Sequence, residues 1–92
     1  MESWYLDSGS SGNMTPNSER MINFRPCNKI ISVAGGETHA IQGRGDLAIE
    51  FQSGLESMHV AYVPTLRYNL ISVSKIVEHG YKIYVDTPGL TL

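Results

Sequence analysis

From Asp46 to Phe51 the side chains alternate, with Leu47, Ile49 and Phe51 on one face and polar or small residues on the other. A period of two over this length fits a half-buried β-strand and not a helix. The same reading holds along most of the chain. Trp4-Tyr5-Leu6 is a short apolar strand, and Ile30-Ile31-Ser32-Val33 is β-branched. Ala34-Gly35-Gly36-Glu37 is a turn signal, and Thr38 to Gln42 returns, so the pair predicts a hairpin with a glycine tip. Met58, Val60 and Tyr62 share one face of a strand that Pro64 ends by removing a ladder donor. Strand runs are read at 38–42 and 46–51, and Gly43 and Gly45 mark a twist or bulge near the base of the glycine-tipped hairpin. Tyr81 to Val85 alternates again, and Leu90 to Leu92 is placed to pair back after Asp86-Thr87-Pro88-Gly89.

Helical signals are few. Thr15-Pro16 has the N-cap and N1 residues of a short helical turn, running to about Ile22 before Phe24-Arg25-Pro26 ends it. Val73, Ile76 and Val77 lie at helical spacing, behind Ser72 as N-cap and ahead of Gly80 as C′ residue, with Lys75 and His79 toward the end that favours positive charge. Six or seven short strands and one C-terminal helix define an all-β domain with a closed or partly closed sheet, one domain over residues 1–92.

A chain of 92 residues buries a thin core, so association with a second copy would add stability. Nine acids against seven bases give a net charge of −2, and no Lys/Arg cluster exists, which argues against a phosphate-backbone binder. No apolar run is long enough to span a membrane, and Met1 to Trp4 lacks the pattern of a signal peptide. The single cysteine, Cys27, excludes an internal disulfide, fits a reducing compartment and reads as a buried thiol. His39, His59 and His79 lack metal-ligand spacing and read as surface or half-buried side chains, so neither metal nor cofactor is expected. Arg44-Gly45-Asp46 is too short a match to imply adhesion.

Leu6-Asp7-Ser8-Gly9-Ser10 carries the chemistry. Leu6 anchors the segment in the core and presents the Asp7 carboxylate at the strand end. Gly9 permits a tight turn in which its N–H approaches that carboxylate. Ser8 and Ser10 supply hydroxyls at short range. The bland alternative is a solvated turn, since Asp-Ser-Gly is common in loops. Ser10 has two competing uses: its hydroxyl donates to Asp7, which would move a pH–rate profile toward acid, or it caps the loop backbone.

The order of an Asp-Ser-Gly loop, a glycine-tipped hairpin, an apolar pair and a short helix resembles the subunit of retroviral-type aspartic proteases. The wording is closer to the copia-type LTR retrotransposon protease. Trp4-Tyr5-Leu6-Asp7-Ser8-Gly9 resembles that family's opening, with Ser11 and Met14-Thr15 following it. Asn23-Phe24-Arg25, Tyr62-Val63-Pro64, Tyr68-Asn69-Leu70, Ser72-Val73-Ser74 and Gly80-Tyr81-Lys82 continue the likeness in order. Two positions depart: Ser10 stands where the family usually has Ala, and Asn13 where it often has His.

This resemblance implies a retropepsin-like closed sheet that forms half of a two-fold homodimer. It implies Asp7 as catalytic residue beside its symmetry mate, with Ser8, Gly9 and Ser10 forming the active-site loop and Ser8 bracing the two loops. Two carboxylates at that range cannot both ionise cheaply, so they share one proton. Ala34, Gly35, Gly36 and Glu37 would form a flap, and Ile31, Val33, Ile41 and Leu70 pocket walls. The implied activity is that of an aspartic endopeptidase processing its own Gag-Pol polyprotein, in the cytoplasm within virus-like particles, with no cofactor, nucleic acid or membrane as partner. The C-terminal strands, Tyr81 to Val85 and Leu90 to Leu92, would be the interface edge. The alternative is a catalytically inactive, domesticated descendant that uses the same fold for dimerisation or peptide binding.

Overall fold

A computed structural model describes residues 3–7, 9–10, 12–33, 35–51, 54–78 and 80. Six strands and one helix follow in chain order: β1 (Trp4–Asp7), β2 (Asn13–Thr15), β3 (Ile22–Ser32), β4 (Thr38–Phe51), β5 (Gly54–Tyr62), β6 (Asn69–Ser72) and α1 (Val73–Glu78). They build one sheet in the order β1-β6-β2-β5-β4-β3. The fold is therefore all-β with one short helix. Among the described residues the ladder ends at β1 on one side and β3 on the other. The anticipated strands from Tyr81 to Val85 and from Leu90 to Leu92 lie outside the described residues.

The strand that positions the candidate site is β6. It runs parallel to β1, with Asp7 opposite Ser72, and antiparallel to β2, with Met14 opposite Leu70. β1 and β2 are therefore not neighbours, and Ser10, between them in sequence, lies at the end of β6, where its carbonyl meets the Ser72 hydroxyl. β6 stops there because Ser72 is followed at once by α1. The Ser72 hydroxyl accepts the Lys75 N–H at 3.4 Å, as an N-cap should, and Gly80 closes the other end with φ +90°.

Alternation decides what each strand buries. Leu47, Ile49, Met58 and Val60 of β4 and β5 meet Trp4, Met21, Ile71 and Ile76 in the main core. Leu6, Phe51 and Tyr62 pack against it. Met14, Ile41, Ala61 and Val63 form a second cluster, against which Cys27, Ile31, Leu66 and Leu70 pack. Cys27 is thus half-buried, and Leu70 faces this cluster.

Two sequence expectations fail here. The helical turn from Thr15 to Ile22 is absent. Thr15 is a fully buried strand residue whose carbonyl accepts the Val63 N–H at 2.8 Å and whose hydroxyl donates to Asn69 Oδ1 at 2.7 Å. Strand pairing and burial outweigh the local capping preference. Nor are 38–42 and 46–51 separate strands, because β4 is continuous over 14 residues. The irregularities fall on the opposite strand, as register shifts between Ile22 and Arg25 and between Pro26 and Lys29. The glycines provide room: a Cβ at Gly43 would run into the Phe24 ring, and one at Gly45 would lie 2.9 Å from the Ile22 carbonyl. Pro26 is tolerated inside β3 because β3 is an edge strand.

Candidate functional site

Asp7 is the last residue of β1 and is half-buried. Its Oδ1 accepts the Gly9 N–H at 2.9 Å, so the carboxylate sits over the first turn of its own loop. The Ser10 N–H reaches the Asp7 carbonyl at 3.4 Å. Ser8 lies outside the described residues, so the bracing role assigned to it has no geometry here.

The Ser10 hydroxyl does not point at Asp7. It donates to the Gly12 carbonyl at 2.5 Å and accepts the Gly12 N–H at 3.3 Å. Its one proton is committed to the loop backbone, so the expected donation to the Asp7 carboxylate is corrected to a capping role. Ser10 in turn is held from below, because its carbonyl accepts the Ser72 hydroxyl at 2.7 Å. With that proton spent, Ser74 Oγ donates to Ser72 Oγ at 2.8 Å.

The residue that composition and spacing left out is Asn13. It is 5% exposed and bridges three strands. Its Oδ1 accepts the Ser72 N–H at 2.9 Å, and its Nδ2 donates to the His59 carbonyl at 3.0 Å. The two backbone partners fix the amide orientation, since one can only donate and the other only accept. A neutral imidazole offers one donor and one acceptor, the number that these two bonds use.

The β3–β4 hairpin carries the glycine tip. The Val33 N–H bonds the Glu37 carbonyl at 2.9 Å and the Gly36 N–H bonds the Val33 carbonyl at 3.1 Å. Gly35 and Gly36 have φ of +93° and +82°, a region that penalises any Cβ. Ala34 lies outside the described residues. Below the tip, His39 is buried and joins the hairpin to the 64–65 turn. One ring nitrogen meets Thr65 Oγ1 at 2.6 Å and the other Glu37 Oε1 at 2.8 Å.

Loop and hairpin face a common cleft of about 680 Å³. Asp7, Gly9 and Ser10 line one side of it, and Ile31, Val33 and Ile41 another. Leu70 is not among the lining residues; it packs beneath, on the second cluster. The sequence reading missed four charged or titratable residues of the cleft, Arg44, His59, Lys75 and Glu78. Only topology brings them there. Among the described residues no three His, Cys, Asp or Glu side chains converge as a metal site, and no helix is long and apolar enough to cross a membrane.

The fold is an all-β sheet in which a carboxylate at the end of β1 and the stem of the β3–β4 hairpin line one cleft. The chain belongs to the family described as Pol polyprotein, beta-barrel domain, whose model matches residues 4–81. It is a module of a retrotransposon or retroviral polyprotein. A search of the curated proteins found no match.

Proposed function

We propose that the chain is one half of a homodimeric aspartic endopeptidase of copia type, which cleaves the polyprotein it belongs to inside virus-like particles. The observation that carries this reading is the shared cleft, lined by Asp7 and its loop and by Ile31, Val33 and Ile41 of the β3–β4 hairpin stem, although Gly35, Gly36 and Glu37 of the tip do not line it. A lone carboxylate per chain suffices when a two-fold axis supplies the second. The ionised member of the pair takes a proton from a water, and the protonated member polarises the scissile carbonyl. The water oxygen then bonds the carbonyl carbon, and the amide nitrogen leaves with a proton returned from the pair. The Asp7 contact to Gly9 N–H orients the carboxylate without consuming its second oxygen. The hairpin, with its positive-φ tip, is the part built to close over an extended peptide and exclude water.

The test is incubation of a precursor polypeptide with the wild-type chain and with Asp7→Asn. Asn keeps the acceptor for Gly9 N–H, so the fold persists, but it neither accepts nor delivers the proton. Cleavage should vanish in the variant, and wild-type activity should fall faster than linearly on dilution, because each subunit supplies half a site. Residual activity within about tenfold of wild type, a 1.4 kcal/mol difference, would remove Asp7 from the catalytic role.

A further inference from the structure

We propose that Arg44 sets the substrate preference of the cleft by pairing with an acidic side chain of the bound polypeptide. The inference rests on the peptidase reading for its occupant, and on charge for its content.

Arg44 is exposed and lines the cleft. Its ladder partners leave it uncompensated on both sides. Across β3 it stands opposite Arg25, and across β5 opposite Ala61. Residues directly opposite in an antiparallel pair share a face, and like charges placed so repel. The nearest acid along the strand, Asp46, is already occupied. One oxygen meets His59 Nδ1 at 2.6 Å and the other accepts Asn23 Nδ2 at 3.0 Å. The remaining charged pair of the cleft, Lys75 and Glu78, is joined at 3.4 Å. Among the described residues neither Arg25 nor Arg44 has a carboxylate partner. Arg44 is thus the one cation of the described cleft wall whose charge is left over.

Asp7 lines the same cleft, and in the proposed dimer its charge offsets only one of the two arginines. The catalytic pair, sharing one proton, carries one negative charge, whereas two copies of Arg44 carry two positive ones. A planar guanidinium presents a fork of donors that a carboxylate matches. A polypeptide fits this site better than a nucleic acid. Met14, Ile31 and Ile41 line the same cleft and suit apolar side chains alternating along an extended peptide, while two arginines are too few to follow a phosphate backbone.

The experiment uses the 92-residue chain carrying Asp7→Asn, at protein concentrations that saturate the dimer. Fluorescent peptides spanning the junctions of the polyprotein are bound in matched pairs, Asp against Asn and Glu against Gln at each position in turn. One position should favour the acid by roughly fivefold at low salt, the scale of a partly exposed ion pair. Arg44→Gln should erase that preference, and Arg44→Glu should turn it toward Lys. The inference is overturned if no position favours an acid, if the preference survives Arg44→Gln, or if no peptide binds. It is also overturned if an RNA oligonucleotide displaces the peptides through Arg44. The two readings fail separately. Absence of cleavage of the best peptide by the wild-type chain tells against the peptidase, whereas loss of the acid preference in binding tells against Arg44.

Discussion

Asn13 Oδ1 accepts the backbone N–H of Ser72 at 2.9 Å, a bond across 59 positions of sequence that ties the end of the Asp7 loop to the start of α1. Both residues are buried, so neither partner has water to fall back on. The loop is pinned twice more, on the β6 side through the Ser72 hydroxyl to the Ser10 carbonyl and on the β5 side through Asn13 Nδ2 to the His59 carbonyl. Asp7 therefore leaves a rigid strand and enters a loop whose far end is fixed by another element.

Replacing Asn13 by Leu keeps the branched shape, adds some bulk and removes both hydrogen bonds. The Ser72 N–H is then buried without a partner, at a cost of about 1–3 kcal/mol. Asn13→His restores one acceptor and one donor and should recover most of that loss. Urea denaturation of the three proteins, at one protein concentration, measures the order wild type, His, Leu. Equal midpoints for Leu and His would mean that the site values volume and not hydrogen bonding.

Gly43 and Gly45 make a prediction about space. An alanine Cβ at Gly43 would collide with the Phe24 ring, which is 42% exposed and free to swing outward. At Gly45 the nearest atom is the Ile22 carbonyl oxygen, part of the backbone of the neighbouring strand. Gly45→Ala should therefore destabilise more than Gly43→Ala, by about 1–3 kcal/mol as an overpacked site does. Phe24→Ala should relieve Gly43→Ala and leave Gly45→Ala unchanged. A double-mutant cycle with thermal unfolding reads both couplings.

The glycine tip is strained only toward side chains. At φ of +93° and +82° an L-residue pays in backbone energy, although nothing lies within 4 Å of a Cβ at either position. Gly35→Ala and Gly36→Ala should each lower stability by roughly 1–2 kcal/mol and slow turnover. D-Ala at the same positions, introduced by chemical ligation, should restore stability, because its φ preference is reversed. If L-Ala and D-Ala behave alike, the tip conformation does not matter to folding.

Much of this fold was legible because alternation is a local signal. Leu47, Ile49 and Phe51 face the main core as their spacing required, and Ser72 and Gly80 bound α1 as capping chemistry required. Thr15 misled because a cap signal is also local, while its burial depends on Asn69 and Val63, some 50 positions away. The bridging role of Asn13 was invisible for the same reason. A lone Asn carries no periodicity, and its partners, His59 and Ser72, are brought to it only by β2 pairing with β5 and β6. The Asp7 loop was readable as chemistry, but the direction of the Ser10 hydroxyl was not, since Asp7 and Gly12 lie at similar range along the chain.

Ser10 separates structure from catalysis most cleanly. Its hydroxyl proton goes to the Gly12 carbonyl and its lone pair to the Gly12 N–H, so the side chain stabilises the loop and makes no bond to Asp7. Ser10→Ala removes both contacts and should cost about 0.5–1.5 kcal/mol, read as a lowered urea midpoint. The proposed catalytic pair keeps its surroundings, so on that reading the bell-shaped dependence of kcat/KM on pH should hold its position while its height falls with the looser loop. Had the hydroxyl donated to the carboxylate, its loss would weaken the ionised form and move both limbs toward higher pH. Measuring kcat/KM against pH for wild type and Ser10→Ala, both at dimer-saturating concentration, distinguishes the two. A profile displaced upward at unchanged stability would overturn the capping role.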